Sequence, residues 1–134
     1  TLMYPFEHLE VLCDMWFDVQ GVRINAHRCV VAARMQQLLP KESLPLQVGA
    51  TVALQVPLDV FSAFLSFVYT EEYPEAGALS AEALLDLYLL AAPCEFYALC
   101  GVCLKLARPL IHAGNVLSLV LSRYQSTDEI LTAM

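Results

Sequence analysis

From residue 13 the chain alternates with a period of two. Cys13, Met15, Phe17 and Val19 are apolar, and Asp14 and Asp18 fall between them. That is the pattern of a half-buried strand. Trp16 interrupts the polar side, which predicts that this face also finds cover. Gln20-Gly21 is a turn signal, since glycine accepts positive φ, and Val22, Ile24 and Ala26 resume the alternation. The two runs predict a hairpin. At His27 the period becomes helical. Cys29, Val30, Val31, Ala32 and Ala33 make a nearly all-apolar turn and a half, the pattern of a helix buried all round. Met35, Leu38 and Leu39 continue it at helical spacing until Pro40 stops the run. Residues 41–50, with Pro45 and Gly49, predict a loop, and residues 51–56 a short strand.

The second half is helical throughout. Pro57 suits a first helical turn, and Val60, Phe61, Phe64, Leu65, Phe67 and Val68 give the helix that follows a wide apolar face. After a connector over residues 71–78, Ser80 is an N-cap candidate ahead of Leu84, Leu85, Leu87, Tyr88 and Ala91, with Pro93 marking the end. Phe96, Leu99, Val102, Cys103 and Leu106 form the next helical stripe, broken by Pro109. Two more helices are expected over residues 115–124 and 128–134, and one or two helical turns over residues 7–12. A hairpin, helices, one strand and then helices only predict an α+β fold, a small β-sheet capped by a cluster of α-helices.

Composition changes this picture in three ways. The 134 residues suit one compact domain. Seven Lys+Arg stand against fourteen Asp+Glu, a net charge of −7, and the basic residues are scattered. A phosphate backbone is repelled by such a field, so no nucleic-acid contact is expected. Hydrophobic residues reach 58%, yet no apolar run approaches the roughly 20 residues of a membrane span. The surplus instead predicts subunit or partner interfaces. Five cysteines, an odd number, and an opening Thr1-Leu2-Met3-Tyr4-Pro5 without a basic leader fit reduced thiols and a cytoplasmic or nuclear setting. The chain reads as a piece of a longer protein.

Little in the sequence points to catalysis. Cys100-Gly101-Val102-Cys103 is a CxxC, but a redox pair needs its first thiol exposed at a helix N-terminus. Here Cys103 falls on the apolar stripe, so packing is the reading, and Cys100 is expected to tolerate serine. A zinc site needs four ligands, and no second CxxC or HxxxH exists. His27 lies between strand and helix with no nucleophile at a recognisable spacing, which makes it a satisfied core or capping residue. No acid, base and nucleophile can be assembled, and no cofactor is expected. Asp14, fourteen residues before Arg28, is the charge most suggestive of a specific pairing.

Three patches together resemble the BTB/POZ family. The first is Cys13-Asp14 opening a strand, then Ala26-His27-Arg28 and the small-residue run Val30-Val31-Ala32-Ala33. The second is Phe61…Leu65…Phe67-Val68-Tyr69-Thr70, with Glu71 where the family usually has Gly. The third is Leu84-Leu85, Ala91, Leu99 and Cys103. The resemblance implies an N-terminal segment over residues 1–12, a BTB/POZ domain over 13–108, and the start of a helical extension of the 3-box or BACK kind over 109–134. It implies a non-catalytic adaptor that binds cullin-3, recruits substrate to a RING-type ubiquitin ligase and self-associates as a homodimer. The alternative it implies is an oligomerisation or co-repressor-binding module of a transcription regulator.

For the dimer, the resemblance points to Asp14 and Arg28, a charged pair at the interface in the transcription-factor branch, and the strand pattern adds Trp16. For cullin-3 it points to the loop after the third helix and to the last helices. The candidates there are Leu38, Leu39, Glu42, Leu44, Cys94 and Asn115. Pro40-Lys41-Glu42 lacks the hydrophobic residue of the family's hydrophobic-x-Glu triplet, and Cys94 stands where a Tyr is usual. A degradation substrate would be bound by regions outside this chain.

Overall fold

The computed structural model describes residues 12–112 together with Asn115, Val116 and Leu119. The helical turns expected over 7–12 and the helices over 115–124 and 128–134 lie largely outside the described residues. The chain forms two compact units, Thr1–Glu72 and Tyr73–Met134. The fold is α+β, with a three-stranded sheet and four α-helices among the described residues.

The first unit is built on strands β1 (Met15–Val19), β2 (Val22–Ala26) and β3 (Ala50–Leu54), in the order β2-β1-β3. β1 pairs antiparallel with β2 and parallel with β3. Between β1 and β2, Gln20 and Gly21 both take positive φ, 52° and 79°, as a tight two-residue hairpin requires. Met15, Phe17 and Val19 are fully buried. The apolar face meets helix α2 (Leu58–Thr70), where the Phe17 and Phe61 rings stack edge-on at 5.0 Å. β3 ends at Leu54, not Val56 as the sequence suggests. It pairs with β1, and β1 runs out at Val19, opposite Leu54.

Helix α1 (Arg28–Arg34) departs further from expectation. It stops at Arg34 because Met35 leaves helical geometry (φ −140°) and turns its side chain fully into the core. Leu38 then falls in a 3-10 turn, Gln36–Leu38. Nor is α1 buried all round: Val31 is buried, but Cys29, Ala32 and Ala33 are exposed. The expected loop contains one further 3-10 turn, Lys41–Ser43.

The second unit holds α3 (Ala81–Ala91) and α4 (Tyr97–Ala107). Ser80 caps α3 as expected, its hydroxyl accepting from the Ala83 N–H at 3.1 Å. Phe96 is the N-cap of α4, not part of its stripe. Ala81, Leu84, Leu85, Ala107 and Leu119 form one buried cluster. Cys100 is buried alongside Cys103, so its position in α4 faces inward too. Among the described residues no helix is long and apolar enough to cross a membrane.

Candidate functional site

The charged pair suggested by the sequence is formed. Asp14 precedes β1, Arg28 opens α1, and the hairpin brings them together. The Arg28 backbone N–H donates to Asp14 Oδ1 at 2.8 Å, and Arg28 Nε donates to Oδ2 at 2.9 Å. One carboxylate thus satisfies an unpaired donor of the first helical turn and holds a guanidinium. Arg28 Nη1 also reaches the Leu46 carbonyl at 3.3 Å. These bonds hold the Asp14 carboxyl below the usual carboxylate range, with the backbone N–H of Arg28 contributing most. Both side chains keep about a third of their surface, 31% and 36%, so the pair is accessible.

Arg28 and Asp14 border an open pocket of about 380 Å³, lined also by Cys29, Ala32 and Gln36 of the α1 side and by Leu44, Pro45 and Leu46. A second open pocket of about 370 Å³ lies at the hairpin tip, and Asp18 is its charged residue. Among the described residues no group of three His, Cys, Asp or Glu side chains is placed to hold a metal ion.

Trp16 lies on the same side of β1 as Asp14 and Asp18. It is half-buried, and the Arg23 guanidinium sits 4.2 Å above its ring. Part of the cover expected for this face therefore comes from β2 itself.

His27 is tied to α2. Its backbone N–H donates to the Tyr69 hydroxyl at 3.0 Å, and its Nδ1 lies 2.8 Å from the same oxygen. The Tyr69 oxygen accepts from the backbone N–H and shares a second hydrogen bond with Nδ1, whose donor depends on the imidazole tautomer. Burial pushes the Tyr69 phenol up to about 12, so it stays protonated in this arrangement. The sequence places Tyr69 in the Phe67-Val68-Tyr69-Thr70 patch and His27 as a satisfied residue, but not their pairing. A signal was available: a partly buried phenol in an apolar helix needs a polar partner.

The remaining candidates divide by unit. In the first, Leu39 is 6% exposed and belongs to the core, while Leu38 and Leu44 are half-buried and Glu42 is exposed on its 3-10 turn. In the second, Cys94 is 7% exposed, and burial pushes its thiol up to about 11. Burial likewise pushes Cys103 up to about 12 and raises Cys100. These thiols are packing groups and not activated nucleophiles. Asn115 is half-buried, its Oδ1 accepting from the His112 N–H and its Nδ2 donating to the Leu110 carbonyl.

Comparison with known proteins agrees with this arrangement. No curated protein matches the chain. Among solved structures, the BTB domain of zebrafish PATZ1 is similar, with a TM-score of 0.55 and 18% identity over 81% of this chain and 95% of that one. Likeness at that identity speaks to the fold. The family model described as "BTB/POZ domain" matches residues 3–107. A hairpin feeding a short helix through Ala26-His27-Arg28, with the imidazole clasped by the tyrosine near the end of α2, is thus the framework of a protein-interaction module, and the chain belongs to the BTB/POZ family.

Proposed function

We propose that this chain self-associates as a two-fold homodimer through the outward face of α1, with the Asp14–Arg28 pair at its edge. The observation that carries the reading is the exposure of Cys29, Ala32 and Ala33 on one side of a helix with no charged residue between Arg28 and Arg34. Side chains this small allow a second helix to approach to about 8–10 Å. The neighbouring ion pair supplies register more than affinity. Families of this kind mediate self-association, which supports the same reading.

Light scattering on the purified chain at tens of micromolar, where an association of about −7 kcal/mol is visible, should give twice the 14.9 kDa chain mass. Ala33→Glu should return a monomer with unchanged circular dichroism. A monomeric wild type removes the proposal.

A different observation favours a cullin-3 adaptor role in a RING-type ubiquitin ligase. Glu42 is exposed on a turn flanked by the half-buried Leu38 and Leu44, a carboxylate between apolar edges. Interface energy concentrates in a few such desolvated anchors. Calorimetry of the cullin-3 N-terminal domain against wild type and Leu44→Glu decides it. Binding lost in the variant supports the adaptor. A folded dimer that ignores cullin-3 is an oligomerisation or co-repressor-binding module.

A further inference from the structure

The connector after α2 carries the sequence Glu71-Glu72-Tyr73-Pro74-Glu75. Residues 71–75 belong to no helix or strand, and Glu71, Glu72, Tyr73 and Glu75 are all exposed, Tyr73 by 47%. Pro74 pushes the backbone of the residue before it towards extended geometry. Glu71 takes left-handed φ, 59°, which ends the helix. The other described tyrosines differ. Tyr69 is bonded to His27 within α2, Tyr88 is 5% exposed within α3, and Tyr97, though exposed, is the first residue of α4.

A tyrosine kinase takes its substrate as an extended strand in a groove and selects it by charge pattern. We propose that Tyr73 is a phosphorylation site for a tyrosine kinase with a basic substrate groove. Carboxylates two and one residues before the acceptor and two after it match such a groove and steer the encounter. In the transfer, Tyr73 Oη attacks the γ-phosphorus of a nucleoside triphosphate. The Oη–P bond forms and the bridging P–O bond breaks. The nucleoside diphosphate leaves with the electron pair, and the phenolic proton passes to the kinase's catalytic carboxylate. The product adds about two negative charges at neutral pH beside three carboxylates. This inference does not rest on the self-association reading.

The test uses the folded chain, ATP and the catalytic domain of an acid-directed tyrosine kinase, read by intact mass and site mapping. One phosphoryl group on Tyr73 is expected, and Tyr73→Phe should abolish it. Glu72→Gln combined with Glu75→Gln should lower kcat/KM by about fivefold or more, with circular dichroism unchanged. Label on Tyr97 in place of Tyr73, or label at Tyr73 only after the chain is unfolded, overturns the proposal. Labelling insensitive to the two glutamates removes the basic-groove specificity and overturns it as stated.

Discussion

Both units pack an apolar core, and the side-chain hydrogen bonds described in them differ in reach. In the first, single polar bonds tie distant segments: His27 to Tyr69 across 42 residues, Gln20 to Leu58 across 38, and Arg34 to Val68 across 34. In the second, Ser80 and Asn115 bond within five residues of themselves, and the helices meet through an apolar cluster around Leu84 and Leu85. Directional bonds fix where a side chain points, whereas apolar contacts supply most of the free energy and little direction. In the unit with the charged pair, long-range directional bonds are added to the apolar packing.

Substitutions sharpen that contrast, beginning in the second unit. Leu84 is 2% exposed, and Leu84→Ala should cost about 2–5 kcal/mol, the range for a buried leucine with its cavity, measured by urea unfolding. Tyr69→Phe leaves the His27 N–H without its acceptor, a loss of about 1–3 kcal/mol. If its urea midpoint fell further than that of Leu84→Ala, the contrast between the units would fail.

The smallest effect is the most specific. The Asp14 carboxyl is depressed in the folded state by the Arg28 N–H and guanidinium. Its contribution is therefore present above the unfolded carboxylate pKa of about 3.9 and is lost as pH falls through the lower folded value. With both side chains about a third exposed, solvent screening keeps this below about 1 kcal/mol. Thermal melts of wild type and Asp14→Asn should differ near neutral pH and converge in acid. A gap that widens as pH falls would reverse the sign of the assignment.

Much of this was legible in the sequence because single residues carry it. The period-two run placed Met15, Phe17 and Val19 inward, Ser80 marked the start of α3, and the Asp14–Arg28 offset anticipated a bond that spans the hairpin. What escaped was settled by partners far along the chain. The end of α1 was misplaced because Met35 continues a helical stripe yet packs better outside the helix. Two exposed alanines and an exposed cysteine on α1 looked like core because pattern records polarity and not what covers it. Leu39 looked like an anchor and is interior. Glu71 stood out as a departure from the usual Gly, and its left-handed φ of 59° supplies the physical reason for that Gly. Arg34, which reaches the Val68 carbonyl at 2.9 Å and the Glu71 carboxylate at 3.4 Å, steadies the non-glycine cap in a way no local pattern announces.

The hairpin tip has a consequence for anyone wishing to modify this domain. A two-residue turn at a surface is ordinarily a tolerant place to insert a tag, a label or a foreign loop. Gln20 forms that turn, but its side-chain Oε1 accepts from the Leu58 N–H at 2.9 Å, a first-turn donor that has no acceptor within α2. Lengthening the tip would therefore displace a helix cap 38 residues away, and the graft belongs elsewhere on the surface.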